Sequence, residues 1–224
     1  MHVKITDTMG NANIGLFAYS TDSCTLLGPQ ASSLQADIEA VLGTRVIQCS
    51  FAGTSLLGVF LTGNSSVLLV PSILFVHEQE VLSQLGLRII VFDTLHTALG
   101  NTIVMNDSGV VVGPMFSSDE IAFLAKETGL PVVQTGLAQT EVVGSGVVHT
   151  QRGMLVHRDS SLEEQEVLSQ TLGINRVLPG TVNLGSPFVR GGIIANNKGF
   201  LIGSQSGGPE VTNADEALGF LGDV

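Results

Sequence analysis

Leu99-Gly100-Asn101-Thr102-Ile103-Val104-Met105-Asn106-Asp107-Ser108-Gly109-Val110-Val111-Val112-Gly113-Pro114 is the stretch whose reading sets the architecture. It runs from an apolar segment through a polar turn into a second apolar segment. Asn and Asp initiate such turns, and Gly supplies the positive φ of a bulged hairpin. Ser117 followed by Glu120 then marks a helix N-terminus through a capping box, and Gly129 marks its end. Pro131-Val132-Val133 reads as a third strand. The unit is ββαβ.

The unit recurs. Leu42-Gly43, Leu85-Gly86, Gly129, Leu172-Gly173 and Gly219 are spaced by 43, 43, 44 and 46 residues. Gly15, Gly58, Gly100 and Gly144 are spaced by 43, 42 and 44. Gly28-Pro29, Val70-Pro71, Gly113-Pro114 and Val156-His157 are spaced by 42, 43 and 43, with Ile202-Gly203 a further 46 on. Three markers in one phase predict five repeats, at 11–53, 54–97, 98–140, 141–183 and 184–224. Gln151-Arg152-Gly153 and Asn196-Asn197-Lys198-Gly199 are the matching turns, Met154-Leu155-Val156 and Phe200-Leu201-Ile202 the matching second strands. Arg45-Val46-Ile47 and Arg88-Ile89-Ile90-Val91 are further third strands. Ser32/Gln35, Ser161/Glu164 and Thr212/Asp215 fit the capping pattern, whereas the second unit lacks a clear one. Leu34, Ile38, Val41 and Leu42 give the first helix its apolar face. The fifth unit has no third strand of its own, and residues 2–6 are a strand without a partner. Residues 1–8 are therefore predicted to complete the last unit and close a ring. An open array would need polar capping units at both ends. The expected fold is α/β: one domain, a five-fold pseudosymmetric ring of ββαβ units closed by its N-terminal strand.

Composition removes several function classes. The chain has 224 residues, 44% of them hydrophobic, and a net charge of −11. That balance argues against a basic nucleic-acid footprint, DNA included, and against a polybasic grip on a membrane. The longest apolar run, 67–76, is interrupted by Pro71 and Ser72 and is half the ~20 residues of a spanning helix. No signal peptide is expected at Met1–Thr6. Two cysteines, Cys24 and Cys49, make no disulfide framework, and a reducing cytoplasm is the expected location.

The sequence resembles the five-bladed α-β propeller, or pentein, fold and within it the translation initiation factor 6 family in its archaeal form. The matching stretches are Asn13-Ile14-Gly15-Leu16-Phe17, Ala52-Gly53-Thr54-Ser55-Leu56-Leu57-Gly58, Thr97-Ala98-Leu99-Gly100-Asn101 with Asn106-Asp107, Val143-Gly144-Ser145, Gly180-Thr181-Val182-Asn183-Leu184-Gly185-Ser186 and Ser206-Gly207-Gly208-Pro209-Glu210. Leu184 departs from the family pattern, and the turn Asn64-Ser65-Ser66-Val67 lacks its Gly. The resemblance implies a monomeric, non-enzymatic ribosome anti-association factor, linked also to large-subunit biogenesis. Its implied partner is the large ribosomal subunit, met mainly through a ribosomal protein at the intersubunit face, with no cofactor. The acidic balance points the same way, to a basic protein and not to RNA backbone. The candidate contacts are Asn183, Gly185, Ser204, Gln205, Ser206 and Glu210.

The alternative is a guanidine-modifying hydrolase or transferase of the same fold, which needs a Cys nucleophile and a base. His157-Arg158-Asp159 is the one suggestive pattern, but it occupies a turn position held by Pro29, Pro71 and Pro114 elsewhere, and no Cys follows Cys49. Both cysteines read as core. His77, His96, His149 and His157 lack metal-ligand spacing. Glu163-Glu164-Gln165-Glu166 suits a helix start. Residues 203–209 lack the Gly-Lys-Ser/Thr of a phosphate loop. Asn64, Asn106 and Asn196, with Asn183, are expected to gather on one face, serving either turn backbone or a partner.

Overall fold

The computed structural model describes residues 1–221; the end of the fifth repeat, 222–224, lies outside the described residues. β1 (Val3–Thr6) opens the chain. Five three-stranded sheets follow. The first contains β2 (Ala18–Ser20), β3 (Cys24–Leu27) and β4 (Arg45–Gln48). The second contains β5 (Thr62–Gly63), β6 (Val67–Pro71) and β7 (Arg88–Phe92), and the third β8 (Ile103–Met105), β9 (Val110–Val112) and β10 (Val132–Gln134). The fourth contains β11 (Val147–His149), β12 (Met154–His157) and β13 (Val177–Gly180). The fifth joins β14 (Ile193–Asn196) and β15 (Gly199–Gly203) to β1. In every sheet the first two chain-adjacent strands are antiparallel, and the remaining strand lies parallel to the second. β1 takes that parallel place in the fifth sheet, with Val3 opposite Phe200 and Ile5 opposite Ile202.

Helices α1 (Gln35–Leu42), α2 (Val76–Ser83), α3 (Ser118–Thr128), α4 (Leu162–Leu172) and α5 (Gly208–Ala217) follow the second strand of each sheet. Each ends within three residues of a left-handed glycine: Gly43, Gly86, Gly129, Gly173 and Gly219, with φ between 59° and 78°. Only a residue without Cβ adopts this conformation freely, so the regular Leu-Gly spacing marks the helix ends.

Helix starts are less uniform. Ser117/Glu120 and Ser161/Glu164 form capping boxes as predicted. Ser32/Gln35 does not: Pro29–Leu34 is a tight 3-10 turn running straight into α1, so no fresh N-terminus exists there. Thr212/Asp215 does not either, because Thr212 lies inside α5. The α5 carboxylate is Glu210, which accepts from Gly207 N. In the second unit, Glu78 accepts from Phe75 N in the same way.

The segment Leu99–Met105 is not one strand. Leu99–Thr102 is a single helical turn and only Ile103–Met105 is extended. Matching turns stand at Ile14–Phe17, Leu57–Phe60, Val143–Gly146 and Val189–Gly192. They touch in succession, and the first touches the last. The repeated glycines are the contact points. A Cβ on Gly58 would lie 1.9 Å from the Gly15 oxygen, on Gly100 2.1 Å from the Gly58 oxygen, and on Gly144 2.4 Å from the Gly100 oxygen. On Gly15 it would lie 1.9 Å from the oxygen of Arg190, the fifth-unit counterpart of the series.

The core lies between sheets. Each of five apolar clusters joins two successive sheets, including the fifth to the first through Ile194 and Leu201 against Leu27, Ile38 and Leu42. Alternate residues of one strand serve different clusters: Val110 and Val112 face the second sheet, Val111 the fourth. Burial on both faces explains why the second strands are unbroken apolar runs. Among the described residues no helix is long and apolar enough to cross a membrane.

Candidate functional site

The parallel arrangement of helices gives the molecule two chemically different ends. At the helix-start end, tight turns follow β1, β4, β10 and β13 and lead into the next unit. Met9-Gly10, Ala52-Gly53, Ala138-Gln139 and Asn183-Leu184-Gly185 all have positive φ. A glutamate three residues into the next helix clips the turn. Glu78 accepts from Ala52 N (2.8 Å), Gly53 N (3.0 Å) and Ser50 Oγ (3.0 Å). Glu164 accepts from Ala138 N (2.9 Å), and Glu120 from the Thr94 hydroxyl. Glu210 accepts from Gly185 N (2.9 Å), Leu184 N (3.2 Å) and Thr181 Oγ1 (2.7 Å). Burial alone would raise the Glu78, Glu120 and Glu210 carboxyls, but these donors outweigh it and hold all three below the ordinary carboxylate range.

Glu78 is 2% exposed, so Glu78→Gln leaves donors without a charged acceptor. A loss of about 2–3 kcal/mol in urea unfolding at pH 7 is expected. A depressed folded pKa stabilises above the unfolded value of about 4.3 and stops doing so as pH falls through the folded value. The wild-type advantage over Glu78→Gln should therefore shrink steadily below pH 4.3 (about the unfolded Glu pKa).

The candidate contact residues lie at this end. Asn183 Nδ2 donates to Ala12 O (3.0 Å), Asn183 N donates to Ser206 Oγ (2.9 Å), and Ser206 is buried. Asn183, Gly185, Ser206 and Glu210 thus form one internal network that ties the 182–186 turn to the 8–13 segment. Ser204 and Gln205 are exposed in the short connection from β15 to α5. Beside this network Leu184 is 80% and Met9 88% exposed.

At the hairpin end the asparagines have a structural task. Asn64, Asn106 and Asn196 each accept two turn N–H groups at Oδ1. Their Nδ2 groups reach the next unit: Asn64 to Asn106 O, Asn106 to Leu172 O, and Asn196 to Thr21 O and Leu42 O. Thr150 plays this part in the fourth unit, donating to Leu218 O at 2.8 Å. Asn183 stands at the other end, so the four asparagines do not gather on one face.

Six of the nine basic residues do, at the hairpin end. Arg45 and Arg88 open β4 and β7, Arg176 precedes β13, Arg152 and Lys198 lie in hairpin turns, and Lys126 is in the last turn of α3. Several cap helix C-termini: Lys198 donates to Gly43 O, Arg88 to Glu127 O and Arg176 to Glu216 O. Cations there, and Asp37, Glu78, Asp119, Glu120, Glu163, Glu164 and Glu210 in the first turns, both complement the helix dipoles. The hairpin end also carries Asp22, Asp107 and Glu127, so its cations are interspersed with carboxylates.

A chamber of about 390 Å³ runs inward from the hairpin turns, lined by Tyr19, Thr62, Met105, His149 and Arg190 among others. Arg190 was missed from sequence, although it sits where the glycine series calls for Gly in the fifth unit.

The elements of a thiol enzyme are not assembled. Both cysteines are buried, and among the described residues neither hydrogen-bonds a histidine. Burial pushes the Cys49 thiol up to about 11, aided by Glu78 and Cys24. His157 Nδ1 accepts from Asp159 N at 3.2 Å, closing the turn before α4.

Five three-stranded sheets with clipped turns and no assembled thiol site among the described residues fit a binding protein. A sequence model of the eIF-6 family matches residues 3–217. Translation initiation factor 6 of Pyrococcus abyssi is 35% identical over 229 residues, covering 99% of this chain and all of the relative. That of Saccharolobus islandicus is 34% identical over 224 residues, covering 98% and 100%, and that of Haloquadratum walsbyi 30% over 217, covering 96% of each. The chain belongs to the eIF-6 family, translation initiation factors whose role is ribosome anti-association, and is not an enzyme.

Proposed function

We propose that this protein binds the large ribosomal subunit as a cytoplasmic monomer and blocks the small subunit by occupying the joining surface. The observation that carries the reading is the end-to-end relation to the eIF-6 family over residues 3–217. In this reading the five repeats, 11–53 through 184–224, form one domain, an α-β propeller of pentein type closed by residues 1–8. The contact is to ribosomal protein at the intersubunit face, made by the helix-start end around Asn183, Gly185, Ser204, Gln205, Ser206 and Glu210. Two features support that end. Exposed Leu184 and Met9 supply an apolar centre, and the first-turn carboxylates supply an acidic rim for a basic partner. The network of Asn183, Ser206 and Glu210 presents the loop, while Ser204, Gln205 and Leu184 would touch the partner.

A second reading places the hairpin end against the subunit, favoured by the basic residues gathered there. Stopped-flow binding to large subunits separates the two. Leu184→Glu should weaken affinity at least ~10-fold, mainly through faster release, as loss of a central apolar anchor does. Arg45→Glu with Lys126→Glu, both exposed at the hairpin end, should stay within about twofold of wild type, the range expected of residues outside the contact. The reverse result selects the hairpin end. Raising salt should slow association more than it speeds release, because rim charges act at long range.

A further inference from the structure

The geometry points to the axial chamber as a binding site for a small free oxyanion, a carboxylate or phosphate, held by Arg190. Arg190 stands in the ring position that is glycine in the other four units, and its side chain crosses from the fifth unit to donate to Leu61 O in the second at 3.1 Å. That is one of five guanidinium N–H groups. Among the described residues Arg190 has no ion pair, and no buried side-chain nitrogen or oxygen lacks a partner. The remaining N–H donors therefore open onto the chamber.

The surrounding groups suit an anion at that depth. Tyr19 offers a phenol kept neutral by burial, which raises its pKa further than Arg190 lowers it. Burial, then the Arg190 charge, pushes His149 down to about 4, so it is neutral near pH 7. Its Nε2 lies 3.2 Å from Met105 O. Arg190 is thus the one cation lining the chamber. The two carboxylates at the mouth are already engaged: Asp107 accepts from Ser65 N and Oγ, and Asp22 from Asn197 N and Nδ2. They lie nearer solvent and would weaken the approach of an anion, so millimolar affinity is the appropriate scale. A planar guanidinium with free parallel donors matches a two-oxygen face, and exclusion from bulk water strengthens that match.

The chain has one tyrosine and no tryptophan, so its intrinsic emission reports Tyr19 alone. Inorganic phosphate and, separately, acetate would be titrated at constant ionic strength into wild-type protein, Arg190→Gly and Arg190→Lys. Glycine occupies the equivalent position in four units, so Arg190→Gly keeps the backbone contact to Gly15 and loses the side-chain bond to Leu61 O. Lysine keeps the charge without the fork if the glycine variant fails to fold. A saturable emission change with at least one probe is expected, weakened about tenfold or more by Arg190→Gly and about threefold or more by Arg190→Lys. The stronger probe tells phosphoryl from carboxylate. No saturable change with either probe, or equal affinity in wild type and the variants, overturns the assignment.

Discussion

Removing residues 1–8 is expected to abolish cooperative unfolding. β15 is buried along its whole length, and its ladder to β1 pairs Val3 through Thr6 with Phe200 through Gly203. The deletion also removes His2, whose carbonyl accepts from Phe200 N at 2.8 Å and whose ring reaches Asp215 at 2.9 Å and stacks on Phe220. The freed β15 edge would lose its ladder hydrogen bonds to β1, at about 0.5–1.5 kcal/mol net each, and the apolar cover that Val3 gives the fourth-to-fifth-sheet core. Together these losses are a large part of the ~5–15 kcal/mol that holds a domain folded. Circular dichroism melts should show a broad, early transition with aggregation through the freed edge. A truncated chain with the wild-type melting curve would show that β1 is not needed to complete the fifth sheet.

Gly15→Ala is expected to be nearly as damaging. Its added Cβ would sit 1.9 Å from the Arg190 oxygen and 2.6 Å from the Ile193 oxygen. Both atoms are backbone in the neighbouring unit, so relief requires the first and fifth units to move apart. A loss above about 4 kcal/mol follows, beyond ordinary overpacking because no side chain can yield. Gly191→Ala is the matched control: the nearest atom would be a flexible leucine Cδ2 at 3.8 Å. It should change stability by no more than about 1 kcal/mol. Equal denaturant midpoints for the two variants would remove the glycine contacts from the account of how the units pack.

Where a backbone conformation demands one residue type, the architecture was legible. Gly43, Gly86, Gly129, Gly173 and Gly219 each take the left-handed conformation that ends a helix, so their spacing revealed five units. Ser117 and Ser161 were equally plain, because a capping box uses two side chains at fixed separation. Gly207 was hidden, since a glycine N-cap carries no side chain and Glu210 alone resembles any acidic residue. Leu99–Thr102 reads as strand by composition. It turns helical because Gly100 must pack on the Gly58 and Leu61 carbonyls, a tertiary demand that no local pattern displays.

The site was harder to read for the same reason. Glu210 looked like a surface charge and is the hub of a loop clip, so replacing it tests the loop before it tests any contact. Asn183 looked equivalent to the turn asparagines and lies at the opposite end. Arg190 becomes visible only when the glycine series is extended one unit past Gly144, where a cation that lines the chamber stands in place of glycine.

Sedimentation on sucrose gradients decides whether the protein holds the subunits apart. Purified archaeal large subunits, small subunits and an equimolar mixture would each be incubated with the protein in magnesium buffer. Co-sedimentation with large subunits is expected, none with small ones, and a mixture that stays as separate subunits where untreated controls join. Protein remaining at the top of the large-subunit gradient, or subunits joining normally in its presence at saturating concentration, would contradict that role.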